Sequence, residues 1–425
     1  MQPTTDLVVG WQSTPNNRGT LDIIYSCVAT IVVCSWSCVC LNIPEPGTTR
    51  RSSLMLQVRW QLFTIFFPEV TVAIAAEQWE SANQSIEKFR DLGYADQWTR
   101  AHAFFADMGG ILLKAPEFPP FPVDSQQLAY LVEHHYLAMP TISSDDIADR
   151  NKADGLARAL AVLQILWFTA QCVGRWIQGL GLCTLELSTL IFILCTLHIY
   201  FFWYLKPLNV YSTLTLETQH SISTILLNAG ESASRPYSRT PLDFIKPPPD
   251  DKSLIAPFWF GIASIFPTAE DPGRRPIRYF ANHKTLPPKG ITIKETIYGI
   301  CLESVYFGLH FIGMLLEFPS EAERYLWIAA TCTLTGLFLI YVIGIFIGHK
   351  FQSRVAMWWF QKKTKTILEM AHILPRWLSV LLHGPVIILY LICRTYILVE
   401  GFVGLRALQA RLYFSVEWAN FLPHL

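Results

Sequence analysis

The sequence predicts an all-α fold, a polytopic membrane helical bundle of about seven transmembrane helices, with an extramembrane helical section and a long Pro-rich loop. Three observations carry that prediction. Of 425 residues, 52% are hydrophobic and 16% charged, whereas soluble domains average about a quarter charged. Apolar runs recur at about the length one helix needs to cross a hydrocarbon core. Fourteen Trp, sixteen Tyr and twenty-seven Phe suit a chain with aromatic belts at two membrane interfaces.

The organising run is residues 21–41, closed by Asn42-Ile43-Pro44. Its one charge is Asp22, placed where an acid suits the positive end of a helix dipole, and Thr20 is positioned to cap the first turn. Asp22, Ser26, Thr30, Cys34 and Cys38 recur every fourth residue. In lipid such a small or polar stripe marks the face that meets other helices. The run is too long for the apolar core of a signal peptide, and the leader carries acids as well as Arg18, so cleavage is not expected.

Five stretches follow from the composition. Residues 1–76 hold an N-terminal tail and two spans, the second interrupted by Pro68-Glu69. Residues 77–155 are extramembrane; Trp98, Ala101, Phe104, Phe105, Met108, Ile111 and Leu112 fall at helical spacing, predicting a helix lying in the interface. Ser125 is a candidate cap for a further helix reaching His134-His135. Residues 156–206 form a tight antiparallel helical hairpin. Residues 207–296 carry eleven Pro between 236 and 288 and read as an irregular cytosolic loop; within it, 254–266 is too short to cross. Residues 297–425 supply the last three spans. No internal repeat is visible, which argues against an inverted-repeat transporter.

Basic residues set the orientation. Lys284, Lys289 and Lys294 in one loop, and Lys350, Arg354, Lys362, Lys363 and Lys365 in another, read as cytosolic. With seven spans that leaves the N-terminus cytosolic and the C-terminus outside, in an endomembrane such as the endoplasmic reticulum. Arg50, Arg51 and Arg59 then stand on the wrong side. The formal net charge of +0 gives no footprint for nucleic acid.

Charges within apolar spans are expensive and face partners or cavities. Glu69, Glu186, Glu303 and His310 are therefore the candidate catalytic residues, with Arg175, Arg394, His198 and His383 as possible partners. Glu69 stands out because Pro68 removes a backbone hydrogen bond beside it, a combination that opens a helix around a polar site. The plainer reading is an interhelical ion pair, Glu69 or Glu186 with Arg175, that holds the bundle together. Asp145, Asp146 and Asp149 have the DDxxD form, whose clustered carboxylates bind magnesium and diphosphate. They also fall at a helix start, after Ser143-Ser144, where acids favour the dipole. No second metal motif completes such a site, so no cofactor is expected unless the Asp145-to-Asp149 cluster holds magnesium. His102 and Asp107 are five apart and do not share a helical face. The ten Cys lie in or beside apolar runs without a metal-binding spacing and read as free, buried thiols. No hydrolase, nucleotide-binding or dehydrogenase motif appears.

Gly10-Trp11, Pro15, Arg18 to Ile23, Cys34, Trp36 and Asn42-Ile43-Pro44 resemble the N-terminal block of a large family of fungal multi-pass integral membrane proteins. Pro68-Glu69, the string from Trp98 to Gly110, Lys152-Ala153-Asp154, Gln164, Trp167, Gln171, Arg175, Glu186 and Lys206-Pro207 continue the resemblance. It is specific over roughly residues 10–210; further on, only the pattern of spans and loops is similar. Some members are associated with secondary-metabolite gene clusters, which implies a role in such a pathway. The resemblance supplies no catalytic residues. The expectation is a membrane-embedded, non-redox enzyme or accessory factor of cyclase-like or isomerase type, acting on an apolar small molecule beside membrane lipid and other pathway enzymes. A transporter or efflux component, and a scaffold or sensor without catalysis, are the alternatives.

Overall fold

The computed structural model describes residues 7–14, 18–45, 47–143, 146–147, 154–208, 210–234, 236–237, 239–245, 275–280, 282, 293–363 and 375–418. In chain order its main elements are β1 (Val8–Val9), α1 (Thr20–Cys38), α2 (Arg50–Phe66), α3 (Pro68–Asp91), α4 (Arg100–Asp107), β2 (Ile111–Ala115), β3 (Phe118–Pro122), α5 (Ser125–Glu133), α6 (Asp154–Ile177), α7 (Thr184–Phe202), β4 (Leu214–Glu217), α8 (Ile222–Ala229), α9 (Ile293–His310), α10 (Glu321–Phe360), α11 (Arg376–Val403) and β5 (Leu408–Gln409). The structure is mostly helical. Among the described residues, six segments are long and apolar enough to cross a membrane: Thr20–Cys38, Gly155–Ile177, Thr184–Phe202, Ile297–Leu315, Glu321–Gly348 and Val380–Arg406. The count reaches seven if α2 and α3, bent by 112° at their junction, are taken as one span.

Helix α1 forms much as its sequence predicts, with one change at its start. Gly19 is the N-cap, and the Asp22 carboxylate accepts the Gly19 N–H at 2.8 Å. Thr20 is the first helical residue instead; its Oγ1 accepts the Gln12 N–H at 3.0 Å. Along the stripe of small residues, Thr30, Cys34 and Cys38 are buried, and Thr30 accepts a hydrogen bond from Gln164 of α6 at 2.9 Å. Asp22, at the end of that stripe, is exposed.

Hydrogen bonds fix which ends of the helices lie together. At one end, the terminal end, β1 pairs antiparallel with β5. There the Arg18 N–H donates to Tyr413 O at 2.9 Å, Gln178 in the turn after α6 donates to Glu417 O at 3.0 Å, and Glu317 pairs with Arg411. At the opposite end, the Ile43 N–H donates to Met108 O at 3.0 Å, and Arg158, near the start of α6, donates to Tyr204 O and Lys206 O. The first and last described segments thus lie at one end of the bundle.

At the end away from the termini sits a folded cap built from parts of 77–136 and 206–245. It contains a small sheet that helical periodicity did not foresee, with β2 between antiparallel β3 and parallel β4. The predicted interfacial helix ends at Asp107 because Met108-Gly109-Gly110 turns the chain. Gly109 has φ +83°, and a Cβ on Gly110 would lie 2.5 Å from Phe105. Ile111 and Leu112 therefore enter a strand, while Trp98, Phe104 and Phe105 are buried as the spacing anticipates. The α5 cap is Asp124, whose Oδ1 accepts the Gln126 and Gln127 N–H groups; the helix stops at Glu133, before the two histidines. Within the Pro-rich loop, β4 and α8 dock on the cap. Its apolar piece at 254–266 lies outside the described residues.

Candidate functional site

Helices α2 and α3 meet at Phe67, whose φ of −130° and ψ of 57° interrupt the helix. Pro68 suits the first position of α3, where no backbone donor is needed. Glu69 follows in the first turn, at the positive end of the α3 dipole. The break leaves the last carbonyls of α2 without helical partners. Side chains of α11 take them: Tyr390 donates to Phe66 O at 3.2 Å and Arg394 to Ile65 O at 3.4 Å. These two residues are four apart and share a face of α11.

The same groups surround Glu69, which is 6% exposed. Its Oε1 accepts a short hydrogen bond from Tyr390, and Arg394 attracts it electrostatically. Its Oε2 has no hydrogen-bond partner. From α9, Glu303, Tyr306 and His310 present one face, at positions i, i+3 and i+7. Glu303 lies near enough to Glu69 for the carboxylates to repel, and its Oε2 also has no partner. His310 faces Tyr306 O through Nδ1 at 2.9 Å and Arg394 through Nε2 at 3.3 Å. A carbonyl only accepts and a guanidinium only donates, so the imidazole is neutral with its proton on Nδ1. The Arg394 guanidinium lies 5.9 Å from the centre of the Tyr306 ring. Three of the four predicted residues, Glu69, Glu303 and His310, are thereby brought together. Sequence reasoning missed Tyr306 and Tyr390; their one signal is helical spacing to Glu303, His310 and Arg394.

Glu186 belongs elsewhere. At the terminal end its carboxylate pairs with Arg18 at 2.6 Å, lies 3.9 Å from Arg175 and accepts the Cys183 N–H at 3.0 Å. Arg175 donates to the carbonyls of Gly181, Leu412 and Phe414. This is the ion pair of the plainer reading, and it ties the N-terminal lead, the α6–α7 turn and the C-terminal segment together.

A third buried charge sits where the bundle meets the cap. Lys206 Nζ donates to Cys40 O at 2.7 Å and Gln78 Oε1 at 2.6 Å, with its ammonium 4.6 Å from the Trp203 ring centre. Burial pushes its amine down to about 8.

The remaining candidates lie apart from the Glu69 cluster. Asp146 and Ser143 exchange backbone hydrogen bonds at 3.2 and 2.9 Å, the reciprocal pattern of a helix start. Asp145 and Asp149 lie outside the described residues, among which no group of three metal-ligating side chains occurs. His102 Nδ1 accepts from Thr99, and its Nε2 donates to Ile142 O at 2.9 Å; burial holds the imidazole below its usual range. Asp107 instead accepts from Ser81 and the Ser125 N–H. All ten cysteines are unbridged; Cys301 and Cys332 are exposed and the others buried.

Fold and site together define a class: a helical bundle with membrane-length apolar helices and a polar cluster at a broken helix in its interior. The chain belongs to a family of unknown function (DUF8562), whose model matches residues 2–235 and 298–425. The match extends beyond residue 210 into the C-terminal helices and omits most of the Pro-rich loop. No curated protein and no solved structure matches the chain.

Proposed function

We propose that the chain is a multi-pass membrane protein with six crossings, in which α2 and α3 form a re-entrant hairpin. The hairpin enters from the cap side: Ile43, before α2, bonds to Met108 of the cap. It turns where Phe66 and Glu69 meet Tyr390, halfway along α11, and α3 returns to the cap at Gln78. Arg50, Arg51 and Arg59 then join Lys88, Arg90, Lys114, Lys350, Arg354, Lys362 and Lys363 on one face. The terminal face keeps Arg18, Arg324, Arg406 and Arg411, each beside a glutamate. The positive-inside rule therefore makes the cap face cytosolic and both termini extracytosolic. In a chain carrying Cys301→Ser and Cys332→Ser, Leu7→Cys and Trp418→Cys should both react with an impermeant maleimide from the non-cytosolic side. Lys114→Cys should react only from the cytosolic side. Labelling of Leu7→Cys and Trp418→Cys from opposite sides would restore seven crossings.

The reading extends to the cluster at the turn: an acid–base centre for a non-redox cyclisation or isomerisation of an apolar secondary metabolite. One observation carries it: the buried Glu69 carboxyl stands beside the half-buried Glu303, each with a buried Oε2 outside hydrogen-bond geometry. The two carboxyls share one proton beside the Arg394 cation, and Glu69 delivers it to an alkene or epoxide of the substrate. The faces of Tyr306, Tyr390 and Phe67 stabilise the developing cation, and Glu303 or neutral His310 removes a proton to close the reaction. No oxidant is consumed, so the product has the mass of the substrate. The test uses membranes containing the chain, supplied with the apolar compound that accumulates when its gene is deleted. Conversion to an isomer of equal mass is expected. Glu69→Gln should slow it at least a hundredfold, the usual size of a general-acid contribution, and Asp146→Asn should leave it unchanged. The helix break also favours a second reading, since transporters place ion and substrate sites at discontinuous helices. Finished product trapped inside deletion-strain cells would select transport.

A further inference from the structure

Beyond the Glu69 cluster, the junction between bundle and cap carries a second site. A cavity of about 380 Å³ opens beside the end of α7, walled by Leu197, Phe201, Phe202 and Tyr204 on one side and by Trp79 of α3 and Arg100 of α4 on the other. Its size falls in the range of small-molecule sites. Leu197 is 46% exposed, Phe201 64% and Tyr204 73%, so the α7 wall faces outward, toward the acyl chains if the membrane reading holds. Aromatic side chains alone would suit any membrane interface. The guanidinium sets this place apart.

Arg100 comes from the opposite, extramembrane wall and is held rigidly. Its Nε and one terminal nitrogen both donate to Asn83 Oδ1, at 3.1 and 2.9 Å, and its Cζ lies 5.2 Å from the centre of the Trp79 ring. Those two bonds use two of five N–H donors, leaving three for a ligand. Both partners are neutral, and among the described residues Arg100 forms no ion pair with a carboxylate. A fixed, uncompensated cation at the rim of an apolar cup matches one chemistry: an anion carried on a hydrocarbon tail.

We propose that this cavity binds a phospholipid of net negative charge, with the headgroup phosphate on the free edge of Arg100 and an acyl chain along Leu197 and Phe201. A planar guanidinium suits phosphate oxygens better than an ammonium does. The cap face is the one that the distribution of basic residues assigns to the cytosol, where leaflets carry anionic lipid. The site rests on the membrane reading but not on the chemistry assigned to Glu69.

The experiment is lipid titration of the full chain in detergent, read by native mass spectrometry, with phosphatidylserine and phosphatidylcholine of identical acyl chains. One phosphatidylserine should be retained at roughly tenfold lower concentration than phosphatidylcholine. Arg100→Gln should abolish that preference, Leu197→Trp should reduce retention of both lipids by filling the cup, and Lys88→Gln, at a cation that does not line the cavity, should change nothing. Unchanged melting temperatures will show that the variants fold. Equal retention of the two lipids, or a preference that survives Arg100→Gln, overturns the proposal. So does displacement of phosphatidylserine by inorganic phosphate at equal concentration, which would make a free anion the ligand. Failure of the membrane reading is seen separately, as protein left in the supernatant after detergent-free ultracentrifugation.

Discussion

Arg175→Ala is expected to destabilise the purified chain by about 5 kcal/mol or more, most of the stability of many domains. Arg175 is 1% exposed, and its guanidinium is the shared donor for three carbonyls from two distant segments, Gly181 O at 3.1 Å, Phe414 O at 2.8 Å and Leu412 O at 2.8 Å. Truncation leaves those acceptors dry. An unsatisfied buried group costs about 1–3 kcal/mol, and removal of one partner of a buried ion pair about 3–5 kcal/mol. Glu186 would keep Arg18 alone. Arg175→Lys should recover only part of the loss, because one ammonium cannot span three acceptors in the plane that the guanidinium supplies. Thermal unfolding in detergent measures the loss. Proteolysis locates it: the segment beyond Val403 should be cut early in Arg175→Ala, before the cap. Loss of the cap first would show that Arg175 does not hold the terminal end.

What the sequence made legible was governed by local rules. Residues 21–41 announce a crossing helix by length and hydropathy, and α1 forms over Thr20–Cys38. Pro68-Glu69 announces a break because proline lacks a donor and a charge is costly in lipid. Glu303 and His310 are visible as costly residues, and their shared helical face follows from spacing alone. The missing information is non-local. Nothing in residues 50–91 states whether the chain continues across the bundle or turns back at Phe67; that is set by Tyr390 and Arg394, more than 300 residues later. Glu186 is as costly in an apolar span as Glu69, yet its arginine partners make it a clasp. Tyr306 and Tyr390 were hidden because a tyrosine in an apolar span is cheap, and only its hydroxyl's target reveals its role. The sheet at Ile111 was masked by helical periodicity on either side of Gly109-Gly110.

The helix break at Phe67 also predicts how its two charges share their cost. Arg394→Leu should destabilise the protein by about 3–5 kcal/mol, because the Glu69–Glu303 carboxyl pair then loses the cation that offsets its charge. Glu69→Gln should cost less, since the amide oxygen still accepts from Tyr390 while Arg394 keeps His310 and Ile65 O. The double variant should be more stable than the sum of the single losses by about 1–3 kcal/mol, the coupling of residues in one network. Losses that simply add would mean that the two side chains are independent, and the cluster would no longer be one electrostatic unit. Stability and activity part at this point. With both charges gone the hairpin still turns, because Phe67 stacks on Tyr390 at 5.2 Å and the Thr71 hydroxyl reaches Thr64 across the break at 3.3 Å. A double variant that folds as well as its parent but converts no substrate assigns the pair to chemistry. One that folds and remains active assigns it to capping the end of α2.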